Sequence, residues 1–129
     1  MKIQNLTLNI GALIGGNYLV TVNYTAHFSA VERFLAQGGL TFHEDIALFS
    51  EDPGAVASLS TLMNPNNIPI PPGAGPVQVP RTLTKQVAQA VLQEDPNPPH
   101  EIFARVRVMP TPNALPLGDT SDSNTKGVL

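Results

Sequence analysis

Asn17-Tyr18-Leu19-Val20-Thr21-Val22-Asn23-Tyr24-Thr25-Ala26-His27-Phe28 is the stretch that decides the class of fold. Tyr18, Val20, Val22, Tyr24, Ala26 and Phe28 fall on one side of an extended chain, and Leu19, Thr21, Asn23, Thr25 and His27 on the other. Such a period of two belongs to a strand that packs one face on a core and turns the other to water. Upstream, Leu6, Leu8 and Ile10 alternate with Asn5, Thr7 and Asn9 in the same way. Gly11, Gly15 and Gly16 lie around the connection between the two runs, which makes a hairpin or two strands on facing sheets.

Downstream the signal weakens and then returns. Ser29 followed by Glu32 matches a capping box, and Gly38 suits a helix C′ position, so a short helical turn competes with a bent edge strand. From Leu40, the residues Leu40, Phe42, Ile46 and Leu48 alternate with His43, Asp45, Ala47 and Phe49, and Glu44 interrupts the apolar side. In 101–109, Ile102, Ala104, Val106 and Val108 face in, while Phe103, Arg105, Arg107 and Met109 face out. Residues 81–93 carry both patterns: Leu83, Val87, Ala90 and Val91 fit a helix, and Leu83, Val87 and Val91 also fit a strand. Strand is favoured because Ala47–Gly54 and Ala90–Asn97 both run from apolar residues into Glu-Asp-Pro, with Thr41 and Thr84 in the same register. Proline ends strand pairing there, because it lacks an N–H and fixes φ.

The expected fold is all-β: an antiparallel β-sandwich of about six or seven strands with a long Pro-rich loop and at most one short helix. A small barrel is the nearest competitor. Paired strands ending in Glu-Asp-Pro, followed by one like 101–109, resemble immunoglobulin-like or C2-like (calcium-dependent lipid-binding) sandwiches at the level of the fold, which does not fix function. One domain is expected over 1–109, with 110–129 as a flexible C-terminal tail. Within the domain, 53–80 holds seven prolines and three glycines and is uncharged from Gly54 to Pro80. It reads as an arm lying over something apolar, either its own sheet or a neighbour.

Composition narrows the function. The chain has 129 residues, enough for one domain with a real core. Charged residues make up 13%, where soluble domains average about 25%. Charge depletion is typical of surfaces that a partner covers. Seven Lys and Arg against ten Asp and Glu leave no basic stripe for nucleic acid. No apolar run reaches the ~18 residues of a membrane span, and the N-terminus lacks a secretory h-region, so the cytoplasm is expected. The absence of Cys excludes disulfides, thiol catalysis and thiolate metal sites.

Candidate chemistry is sparse. His27, His43 and Asp45 make a transition-metal cluster if their strands are neighbours. Glu51, Asp52, Glu94 and Asp95 bring oxygen donors for Ca²⁺ if the two Glu-Asp-Pro turns share one end of the sandwich. The same carboxylates can be drawn as a glycosidase-like acid/base pair, although nothing in the sequence sets their separation. No serine sits in a nucleophile elbow, and no glycine-rich phosphate loop is present. Arg105 and Arg107 have Asp45 as a candidate cross-strand partner. Thr21, Asn23, Thr25 and His27 offer an uncharged polar face for glycans or for strand contact.

Ile68, Ile70, Phe103, Arg105 and Met109 are the expected interface residues. The resulting expectation is a non-catalytic protein-interaction or self-assembly module, a homo-oligomer or the binder of a protein partner. The alternative is a ligand-binding module for glycan or lipid, calcium-dependent if the two Glu-Asp-Pro turns bind Ca²⁺; otherwise no cofactor is expected.

Overall fold

Gly15 and Gly16 both adopt positive φ, 61° and 82°, and close a two-residue turn between the paired residues Ile14 and Asn17. Left-handed dihedrals at both central positions match the twist of the flanking strands, so the connection is a β-hairpin. It joins β1 (Lys2–Ile14) to β2 (Asn17–Phe28). The computed structural model describes residues 1–52, 55–92, 100–111 and 117–128. The remaining elements are α1 (Ala30–Gln37), β3 (Thr41–Asp52), β4 (Ala55–Asn67), β5 (Val77–Ala88), α2 (Gln89–Leu92), β6 (His100–Thr111), β7 (Asp119–Asp122) and β8 (Lys126–Val128).

The strands form two antiparallel sheets, a three-stranded one ordered β1-β2-β5 and a five-stranded one ordered β4-β3-β6-β7, with β8 also on β6. The second strand thus pairs with the fifth and the third with the sixth, so consecutive strands cross between the two sheets of a β-sandwich. Between the sheets lie the inward residues of β2, Val20, Val22, Ala26 and Phe28, facing Phe42, Ile46 and Leu48 of β3 and Ala104, Val106 and Val108 of β6, all essentially inaccessible to solvent. Phe28 and Phe42 meet edge to face with centroids 4.9 Å apart, a favourable aromatic geometry.

Where the sequence suggested an arm lying over its own sheet or a neighbour, most of 55–80 is strand of the domain's own sheets. Residues 55–67 pair with β3 as β4, and 77–88 pair with β2 as β5 in a register unbroken from Val77 to Ala88. The prolines are compatible with pairing because both strands lie at sheet edges, where a missing N–H costs no ladder bond. Among the described residues of this segment, 68–76 remain a loop, and it belongs to the domain. Ile68 donates its N–H to the Phe42 carbonyl at 2.9 Å and is 4% exposed.

Arg33 of α1 gathers the rest of that loop. Its Nε donates to the Pro71 carbonyl at 2.9 Å, Nη2 to Pro72 at 2.9 Å, and Nη1 to Ala74 and Gly75 at 3.1 and 3.4 Å. Gly73 adopts φ 149°, a backbone conformation side chains rarely take, and a Cβ there would press on the Arg33 guanidinium.

The C-terminal residues expected as a tail also carry structure. β7 and β8 pair with β6, and Asp119 and Asn124 satisfy the outer edge of β1: Ile3 N–H donates to Asp119 Oδ2 at 2.8 Å and Leu8 N–H to Asn124 Oδ1 at 2.9 Å. The apolar runs before the two Glu-Asp-Pro sequences differ in structure, while Pro53, Gly54 and 93–97 lie outside the described residues. Ala47–Ser50 lies in β3, whereas Ala90–Leu92 lies in the single turn α2.

Ser29 caps α1 as the sequence suggested: its hydroxyl accepts from Glu32 N–H at 3.2 Å and Glu32 Oε1 accepts from Ser29 N–H at 2.8 Å. Gly38 is the C-cap residue, and Gly39, at φ 113°, takes the left-handed position after it.

Candidate functional site

Alternation on β2 and β3 puts chemistry in three places: between the sheets, on the two outer faces, and at the two ends. Glu44 occupies the inward phase of β3, 1% exposed. It meets Arg81 from β5 through two hydrogen bonds, Nε to Oε2 at 3.0 Å and Nη2 to Oε1 at 2.8 Å. The Tyr24 hydroxyl of β2 donates to the same carboxylate. Burial first, then the bond to Glu44, hold the Tyr24 proton well above the ordinary tyrosine range. Bonding to Glu44 likewise raises Arg81. Three strands from both sheets are thereby clamped by one buried charge pair, as a buried carboxylate requires.

The outer face of the five-stranded sheet carries the residues expected at an interface. Its rows read His43–Met109, Asp45–Arg107–Thr120, Ala47–Arg105–Asp122 and Phe49–Phe103. Phe49 and Phe103 stack with centroids 5.6 Å apart, and the Arg105 guanidinium lies 4.7 Å from the Phe49 centroid and 5.6 Å from that of Phe103. Arg105 pairs with Asp122 at 2.8 and 3.1 Å, not with Asp45. These bonds raise its pKa.

Phe103 is consequently only 6% exposed. Ile70 and Met109 are half-buried, and Ile68 belongs to the core. The interface set therefore does not form one open apolar patch. A depression of about 230 Å³ beside it is lined by His43, Asp45, Arg107, Met109 and their neighbours.

The outer face of the three-stranded sheet is different in kind. Its rows are Lys2–His27–Gln78, Gln4–Thr25–Pro80, Thr7–Asn23–Thr82 and Asn9–Thr21–Thr84. Lys2 is the single charge in these rows. Thr82 Oγ1 donates to Asn23 Oδ1 at 2.8 Å across the strands. At one end of this sheet, His27 Nε2 is buried without a partner, beside a depression of about 460 Å³ that includes Lys2, Ser29, Glu32 and Gln78.

The transition-metal expectation does not come together. His27 and His43 occupy outward phases of β2 and β3, which belong to different sheets, so they sit on opposite sides of the sandwich. Among the described residues no group of three or more His, Asp or Glu is placed to hold a metal ion. Glu51 and Asp52 end β3 opposite Val56 and Ala55, while Glu94 and Asp95 lie outside the described residues.

Exposed apolar surface lies elsewhere, at positions that alternation did not single out. Ile14 is 76% exposed, with Leu13 and Leu19 beside it, and on α1 Phe34 is 73% and Val31 66% exposed. The signal for the helix pair was available in the sequence, since Val31 and Phe34 are three apart and share a helical face. Among the described residues no helix is long and apolar enough to cross a membrane. Comparison with known protein families, curated proteins and solved structures finds no match.

Proposed function

We propose that this chain is a non-catalytic subunit that works by protein contact, assembling with further copies of itself. The observation that carries this reading is the distribution of exposed apolar surface. Among the described residues, the large apolar ones left exposed are Leu13, Ile14, Leu19, Val31 and Phe34, in a chain with only 13% charged residues. Scattered exposed apolar residues are ordinary, but clustered ones in a charge-poor setting mark contact surfaces. No charged residue occurs from Ile3 to Val31, and on α1 Glu32, between Val31 and Phe34, is buried while Arg33 is bonded to the carbonyls of 71–75.

Light scattering across a concentration series tests the reading. Mass should rise above that of the monomer as concentration increases, and a monomer throughout the range would overturn it.

A second reading is favoured by the Thr/Asn/Gln rows of the three-stranded sheet, an uncharged set of donors and acceptors suited to the hydroxyls of a glycan. Binding to a glycan panel that is lost on Asn23→Ala would support it, and a chelator series would test whether calcium takes part.

A further inference from the structure

The outer face of the five-stranded sheet leaves two opposite charges unjoined. Asp45 on β3 and Arg107 on β6 stand directly opposite each other in register, where an acid and a base ordinarily pair across strands. In the next outward row Arg105 does reach Asp122, at 2.8 Å. Among the described residues the ion pairs are the Met1 amino group with Glu32, Glu44 with Arg81 and Arg105 with Asp122. Asp45 and Arg107 belong to none of them.

Both instead border the depression of about 230 Å³ on this face. Its shape comes from the sheet. The pairing of β3 with β4 shifts between Glu44 and Ile46, so β4 is irregular opposite Asp45, and Pro65 stands at the rim. Irregularities of this kind recur beside binding sites, because they open a sheet face and re-aim its side chains. On the other side, β7 pairs with β6 no further than Val108, and Met109, Pro110 and Thr111 line the hollow beyond it. His43 adds an imidazole whose Nε2 lies 3.3 Å from Thr41 Oγ1.

We propose that this depression binds a free α-amino acid with an apolar side chain. The Arg107 guanidinium is a planar fork of donors matched to a carboxylate, and the Asp45 carboxylate accepts from an ammonium group. Met109, Pro65 and Pro110 give the apolar side chain a surface. A zwitterion supplies both missing counter-charges at once and leaves the net charge of the site unchanged, which a simple anion or cation does not. The volume lies below the roughly 300–1,000 Å³ of pockets for drug-sized ligands, so the occupant is small. The inference is independent of the assembly reading, because none of the exposed apolar residues that carry that reading lines this depression.

The test is an NMR titration of the full chain, following backbone amides, with three probes. L-leucine carries both charges, isocaproate lacks the ammonium group and isoamylamine lacks the carboxylate. Leucine should shift the amides of His43, Asp45, Arg107 and Met109, and each of the other two probes should bind about tenfold more weakly or worse. Arg107→Gln should weaken leucine and isocaproate alike. Asp45→Asn should remove the advantage of leucine over isocaproate while isocaproate still binds. Both side chains face outward, so both variants should melt within a few degrees of the parent.

Amides that do not respond to leucine at millimolar concentration would overturn the proposal. So would leucine binding that survives Arg107→Gln, or isocaproate binding to the parent as tightly as leucine, which would make this a site for anions only.

Discussion

Arg81 and Arg105 each aim two guanidinium nitrogens at a carboxylate on another strand, yet their surroundings make them different devices. Arg81 reaches from β5 into the interior, where Glu44 is 1% exposed and is also held by Tyr24. Arg105 and Asp122 lie along the outside of β6 and β7, with side chains 39% and 45% exposed. In the interior, losing Arg81 would strand the buried Glu44 carboxylate, while Arg81 itself keeps 21% of its side chain exposed. At the surface, water takes the place of the missing partner. The inner pair therefore ties the sheets together, while the outer one mainly covers the stacked Phe49 and Phe103.

The sharpest way to break this contrast is to remove one carboxylate from each pair. Glu44→Ala leaves Arg81 and the Tyr24 hydroxyl unsatisfied and should cost about 3–5 kcal/mol in unfolding free energy. Asp122→Ala should cost less than about 1 kcal/mol. Chemical denaturation of both variants checks the difference, and equal losses would dissolve it. Replacing the whole inner group, as Tyr24→Phe with Glu44→Leu and Arg81→Met, should recover much of the loss, because no charge is left buried. A triple variant as unstable as Glu44→Ala would show that Glu44 acts through packing.

Tyr24→Phe tests the inner group more gently, with an expected loss of about 1–3 kcal/mol from one hydrogen bond to a charged acceptor. It also has a pH signature. Burial, reinforced by Glu44, keeps the Tyr24 proton bound in the folded chain beyond its ordinary range, whereas the unfolded chain releases it near pH 10. Unfolding then releases a proton, so this contribution is fully present below about pH 10 and is lost as pH rises further. Unfolding curves taken on either side of that pH should show a steeper decline for the parent than for Tyr24→Phe. Parallel declines would contradict the assignment.

What could be read from the sequence follows the same division between periodic burial and specific partners. β2, β3 and β6 were legible because one-sided burial imposes a period of two on Tyr18–Phe28, Phe42–Leu48 and Ile102–Val108. β4 was not, because its register against β3 shifts three times, so Leu59, Leu62 and Met63 keep no single phase. Ala90–Leu92 resembles strand residues, yet forms a helical turn; so short an apolar run carries too little local preference to decide.

Glu44 was visible as an interruption of an apolar face, but its partner Arg81 is 37 residues away and only the fold connects them. Arg33 gave no signal at all, since its acceptors are backbone carbonyls, which every residue possesses. His27 and His43 looked like possible partners because each phase was right, while their placement on different sheets is a property of strand order.

The smallest expected effect sharpens the comparison from the outer side. Arg105→Ala removes an exposed ion pair and a guanidinium lying over two rings, so its total cost should stay near 1 kcal/mol. The two contributions separate in salt. At 1 M ionic strength the screening length falls to about 3 Å, which should weaken the pairing with Asp122 and leave the contact with Phe49 and Phe103 largely intact. Asp122→Ala should therefore lose most of its effect in high salt, whereas Arg105→Ala should keep part of its own. If both effects vanish together, Arg105 serves only as the partner of Asp122. If the effect of Arg105→Ala persists, its apolar stem and planar head cover the aromatic pair, which explains why Phe103 is buried on an outward-facing strand position.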